Sequence, residues 1–145
     1  KRVYPFILGG NMNKYMEIAL KEAKKSLKTD DVPVGAVIVE NGRILAKSHN
    51  TKEKNKIVTR HAEVNVVEKA CKKKKNWHLN DCEIYVTLEP CEMCMGAIKS
   101  ARIKKVYYLV KRNKKNVLAV PKTIEIKEKN EGCEMLEYFF KNKRK

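Results

Sequence analysis

The dipeptide Asn41-Gly42 separates two runs of strand character, Val34–Val39 and Arg43 to about Ser48. Asn-Gly favours the positive backbone angles of a two-residue hairpin, so these two strands must be antiparallel neighbours. The pattern on either side limits what can be built around them. Upstream, Met12, Met16, Ala19, Leu20, Ala23 and Leu27 recur at helical spacing with lysines opposite. Asn11 or Asn13 is a candidate cap for that helix, and Asp30-Asp31 and Pro33 end it. Downstream, residues 50–58 are polar and read as a loop. A helix capped by Thr59 then turns Ala62, Val66, Val67 and Ala70 inward and stops at Lys72–Asn76. Ile84–Thr87 reads as a third strand. Glu89-Pro90 opens a helix to about Ser100, since proline suits a first helical turn. Val106–Val110 is a fourth strand, Ile124–Ile126 a candidate fifth, and Glu131 to about Lys141 a last amphipathic helix. The order α-β-β-α-β-α-β-(β)-α predicts an α/β fold: a mixed sheet of about five strands with helices on both faces.

At 145 residues the chain has the size of one domain, placed here at 12–141. Residues 1–11 lack an initiator methionine and are expected to be a leader or tag; 142–145 form a basic tail. No apolar run approaches the roughly 18 residues of a membrane span. Thirty-three basic against 17 acidic residues leave a net charge of +16, which favours a polyanionic partner such as nucleic acid. Lysine accounts for 27 of the 33, so compositional drift explains the charge equally well. Five irregularly spaced cysteines do not form a disulfide framework, which points to a reducing, intracellular compartment, cytoplasmic or nuclear. Cys71, Cys82 and Cys133 read as small core residues.

The chemistry sits in two short segments. Cys91-Glu92-Met93-Cys94 follows Pro90, so both sulfurs lie on one face of a helix start, where the helix dipole favours thiolates. Alone, the pair serves a metal or a redox dithiol equally. His61-Ala62-Glu63 opens another helix, and two such N-termini can converge on one point. One histidine and two cysteines would leave a fourth position open on zinc, the arrangement of a catalytic ion. Zinc makes hydroxide available near neutral pH, and Glu63, beside the ion without ligating it, can carry protons. That combination deaminates an amidine carbon of a heterocycle by hydrolysis.

H-x-E…P-C-x-x-C is the known signature of zinc nucleobase deaminases. The match continues through Asp31–Val39, His49-Asn50, Thr59–Glu63 and Tyr85–Ile98, all in order. Over about residues 12–110 the chain resembles the tRNA-specific adenosine deaminases, TadA-like enzymes and the catalytic subunit of the eukaryotic heterodimer. Thr59-Arg60 leans toward the eukaryotic subunit. The resemblance implies a three-layer α/β/α cytidine-deaminase-like fold, with one zinc ion on His61, Cys91 and Cys94 and Glu63 as proton shuttle. It also implies Asn50 and the Ala62 backbone as contacts to a flipped adenosine. The substrate would be the wobble adenosine of a tRNA anticodon arm, converted to inosine. The assembly would be a homodimer, or a heterodimer with a related non-catalytic subunit, with no membrane involved. The chain departs from the family's pattern between Lys111 and Asn130, which is lysine-rich and lacks the usual glycine-containing stretch. Two rival readings stand beside this one. The first is a deaminase of a free base or nucleotide: cytosine, deoxycytidylate or guanine. The second is a non-catalytic RNA-binding subunit that keeps zinc for stability, against which Glu63 speaks. Trp77, beside the lysines at 72–75, reads as a helix-end anchor before a base-stacking platform.

Overall fold

A computed structural model describes residues 2–5, 13–113, 120–126 and 131–143. They belong to two compact units, 1–113 and 114–145. In the first, β1 (Arg2–Pro5) is followed by α1 (Lys14–Ser26), a 3₁₀ turn (Leu27–Thr29), β2 (Gly35–Glu40) and β3 (Arg43–His49). Then come a single turn, α2 (Lys52–Asn55), and α3 (Ala62–Lys74), β4 (Cys82–Leu88), α4 (Glu92–Ser100) and β5 (Lys105–Val110). The second unit contains α5 (Glu131–Lys143).

The sheet order is β1-β5-β4-β2-β3. Asn41 and Gly42 both have positive φ, 49° and 78°, as the hairpin requires, and β2 pairs antiparallel with β3. β2 also pairs antiparallel with β4, whereas β4 and β5, joined through α4, run parallel. The mixed α/β sheet expected from the element order is therefore present. Its fifth strand is not residues 124–126, which adopt no regular structure, with Ile124 and Ile126 exposed. Two apolar residues in a charged stretch beside Pro121 offer too little to pair. The edge of β5 is instead taken by β1, from the segment read as a leader, in parallel register from Arg2 opposite Lys105 to Pro5 opposite Tyr108.

Because β2 is covered on both faces, its alternate residues enter two cores. Val37 and Val39 join Met16, Ala19 and Tyr85 under α1. Ala36 and Ile38 join Val66, Ala70, Ile84, Ile98 and Val106 under α3 and α4. That is three-layer α/β/α packing. The helix starts differ by a few residues from the expectation. Asn13 caps α1, its Oδ1 accepting from the Tyr15 and Met16 N–H groups; Asn11 and Met12 lie outside the described residues. Thr59 does not cap α3, because the chain still turns there, with Arg60 N–H bonded to Ile57 O, and His61 takes the cap position. Likewise Cys91, not Pro90, is the residue on which α4 begins. Leu27, expected on the buried face of α1, is exposed because the helix has passed into its 3₁₀ turn. Cys82 is buried and Cys71 half-buried as small core residues, but Cys133 on α5 is exposed. In α5 the whole described apolar set, Met135, Leu136, Phe139 and Phe140 included, is at least half exposed. Among the described residues no helix is long and apolar enough to cross a membrane.

Gly35 sets how closely α1 approaches the sheet. A Cβ there would lie 1.9 Å from the Ala19 carbonyl oxygen and 2.6 Å from the Ala23 nitrogen, both backbone atoms that cannot rotate away. Gly35→Ala is expected to cost at least about 2 kcal/mol through the forced shift of α1. A urea midpoint that falls while the m-value holds would show it; an unchanged midpoint would contradict the packing argument.

Candidate active site

Two helix beginnings meet on one side of the sheet. His61 is the N-cap of α3 and Cys91 the N-cap of α4, both with extended backbone and neither using its side chain to cap. Their side chains are thereby released toward each other. His61 Nδ1 lies 3.4 Å from Cys94 Sγ and 3.7 Å from Cys91 Sγ. The three candidate ligand atoms all fall within 4.8 Å of one another, a cluster that could hold a metal ion. Cys94 is buried in the third position of α4, whereas His61 and Cys91 are half-buried. Hydrogen bonds from the Cys94 thiol and from His61 draw the Cys91 thiol down to about 3. The same Cys91–Cys94 contact, with burial, pushes Cys94 up. His61 is held above its usual value mainly by its hydrogen bond with Cys91.

Beside the cluster is a cavity of about 180 Å³ lined by Val32, Val34, Asn50, Lys52, His61, Ala62, Glu63, Leu88 and Arg112. It has room for one planar heterocycle. Glu63, in the first turn of α3, is only 2% exposed, and burial pushes its carboxyl up toward the protonated form. A carboxyl placed beside a reacting group can both take and give a proton. The expected site residues His61, Ala62, Glu63, Cys91, Cys94 and Asn50 are thus brought together. The Asn50 side chain is held from two sides: its Nδ2 donates to Val32 O, and its Oδ1 accepts from Lys52 N–H. Trp77 lies outside the cavity lining, stacked on His78 with the Arg102 guanidinium over its ring.

Sequence reasoning missed the groups that hold this loop. Asn65, one turn into α3, donates to His49 O and to Thr51 Oγ1. Asp31 accepts from the N–H groups of Glu53 and Lys54 and from the Thr29 hydroxyl. Burial acts to raise the Asp31 carboxyl, but these hydrogen bonds outweigh it and hold it below its ordinary value. Lys52 and Arg112 also went unnoticed as cavity residues. Lys52 lies two residues past Asn50, the only local signal; nothing in the sequence marks Arg112.

Comparison with known proteins places this geometry. A family model described as MafB19-like deaminase matches residues 10–144. The tRNA-specific adenosine deaminase of Bacillus subtilis (strain 168) is 47% identical over 94 residues, 65% of this chain and 58% of that protein. The chain thus spans less than two thirds of that curated relative. A solved structure from studies of A-to-I editing by tRNA:A34 deaminases at the wobble position of tRNA is 44% identical. It covers 69% of this chain and 72% of its own, with a TM-score of 0.67. The structure of guanine deaminase from Bacillus subtilis is 27% identical, covering 90% of this chain and 95% of its own at a TM-score of 0.74.

The lowered Asp31 carboxyl ties stability to pH in a definite direction. Its contribution is present above the ordinary value of 3.8 and is lost as pH falls through its lower folded value. Asp31→Asn is expected to cost about 1.5–3 kcal/mol at pH 7, the scale of hydrogen bonds to a charged group. In paired urea titrations that difference should stay constant above about pH 5 and shrink below 3.8. A difference that grows in acid would refute the assignment.

Proposed function

This chain belongs to the MafB19-like deaminase family, and we propose that it hydrolytically deaminates the wobble adenosine of tRNA anticodons to inosine, with one zinc ion. The observation that carries the reading is the meeting of His61, Cys91 and Cys94 beside a cavity floored by a buried carboxyl, Glu63. The donor set fits zinc. Ligand bonds of about 2.3 Å to sulfur and about 2.0–2.1 Å to nitrogen, disposed tetrahedrally, separate N from S by roughly 3.5 Å. The observed separations are 3.4 and 3.7 Å. Two sulfurs and one nitrogen leave a position for water, whose pKa zinc lowers toward neutrality when bound.

The chain's own groups do the rest. Glu63 takes a proton from water and gives it to the purine ring nitrogen. It then passes the second water proton to the departing amine, so that water enters and ammonia leaves. Asn50 and the backbone of Ala62 orient the base, and Val32, Val34 and Leu88 enclose its apolar faces. The family match over 10–144 supports reading 12–141 as one deaminase domain. The net charge of +16 suits a tRNA anticodon arm as partner. A homodimer, or a heterodimer with a related non-catalytic subunit, is the proposed assembly. The free thiols support an intracellular setting, cytoplasmic or nuclear.

The likeness to guanine deaminase over 90% of this chain favours a second reading, deamination of a free purine. Turnover assays on anticodon stem-loops, whole tRNAs, guanine, cytosine and deoxycytidylate separate the two. The expected outcome is inosine in RNA and no product from free bases. Glu63→Ala should lower turnover at least 10³-fold, on the order of a lost acid–base group, while zinc stays near one per chain. Cys91→Ala should lose zinc and, with it, stability. Ammonia from guanine with RNA untouched would establish the second reading, and full zinc in the Cys91→Ala protein would overturn the ligand set.

A further inference from the structure

The base-binding part of the cavity asks for little charge, yet its lining carries two cations. Of the residues lining it, Lys52 and Arg112 are basic, and the only carboxyl is the buried Glu63. Both are held by their surroundings. The Arg112 N–H donates to Glu89 Oε1 and its Nε to Glu89 O, each at 3.1 Å. Glu89 N–H in turn donates to Val110 O at 2.8 Å, which carries the β4–β5 pairing one step further. This pins the root of the guanidinium, and its terminal nitrogens make no hydrogen bond among the described residues. Lys52 is fixed through its backbone N–H on Asn50 Oδ1, with the next two N–H groups on Asp31. Its ammonium makes no hydrogen bond among the described residues. The two cations thus reach the cavity from different elements: one after β3, the other past the end of β5.

An uncharged purine offers them ring-nitrogen or carbonyl acceptors but no charge to neutralise. A phosphate offers both: a guanidinium edge presents paired N–H donors to two phosphate oxygens, and an ammonium adds a point charge. Lysine abundance explains Lys52 as chance, but arginine is scarce here, six residues in 145. We propose that Lys52 and Arg112 form a phosphate subsite in the cavity lining that takes the phosphodiester flanking the target nucleotide. The proposal rests on the RNA-deaminase reading above and deepens it: the enzyme selects a base within a polynucleotide through the charge beside it.

The test uses the zinc-loaded full chain and an anticodon stem-loop with adenosine at the wobble position. In parallel stem-loops an uncharged methylphosphonate replaces the linkage on the 5′ or the 3′ side of that adenosine. Lys52→Ala and Arg112→Gln are each expected to lower kcat/KM about tenfold on native RNA, mainly through KM. On one of the two methylphosphonate RNAs the same variants should change it less than twofold. Lys52→Arg and Arg112→Lys should recover most of the loss, which separates charge from folding. RNA affinity is measured in the Glu63→Ala background, independently of turnover. There, each charge removal should lower the slope of log Kd against log salt by about 0.7, the value for one contact to a single strand. Equal losses on native and both neutralised RNAs, or an unchanged salt slope, would overturn the subsite. Adenosine monophosphate turned over as well as RNA, with the same sensitivity to both variants, would overturn the phosphodiester as its occupant. Failure of the unaltered protein to make inosine in RNA would instead count against the deaminase reading, while the salt slope still decides the subsite.

Discussion

Two helix N-termini converging on one point is the constraint on which the site depends. The first turn of a helix leaves backbone N–H groups unpaired and carries a partial positive charge. At α4 that charge bears on Cys91 and Cys94, and at α3 on Glu63. Both helices lie on the same face of the sheet because β4-α4-β5 is a parallel crossover and α3 returns from the β2–β3 hairpin to the same core. Had either cap residue used its own side chain as the cap, that side chain would have been unavailable to the cluster. Both caps leave it free.

Convergence alone would leave a loose site, and a buried polar framework holds it. Asn65 bonds back to residues 49 and 51, Asp31 ties down the turn at 52–55, and the Ser26 hydroxyl donates to Asn50 O. Behind them Glu22, itself buried, pairs with Lys25 and His49. Among the described residues no buried side-chain nitrogen or oxygen lacks a partner. Such a network is costly when incomplete and rigid when complete, and rigidity is what a group positioned against a reacting carbon requires.

The overall charge and the charge at the cavity differ in origin. Thirty-three basic residues give the chain a long-range attraction for polyanions, which screens with salt and carries little direction. Among the described residues, two of them, Lys52 and Arg112, line the cavity, and those two are placed by hydrogen bonds of their own backbone. Composition governs encounter; placement governs which substrate atom meets which donor.

The sequence by itself determined the local features. Alternating apolar residues and the Asn-Gly turn specify β2 and β3, periodicity specifies α1 and α3, and the H-x-E and C-x-x-C spacings place reactive groups at helix starts. These features depend on neighbours within a few residues, so a linear reading recovers them. It failed where the decision was made across the fold. Residues 124–126 have two apolar positions at strand spacing, but the edge of β5 is taken by Arg2–Pro5, about a hundred residues from β5 along the chain. Thr59 is a better cap by residue type than His61, yet the turn at 57–61 delays the helix and leaves the imidazole facing the two sulfurs. The arrival of Arg112 in the cavity that Asn50 also lines follows from the parallel pairing of β4 and β5, which no local pattern encodes. Tertiary structure decided these, because hydrogen-bond partners and cavity walls belong to residues far apart along the chain.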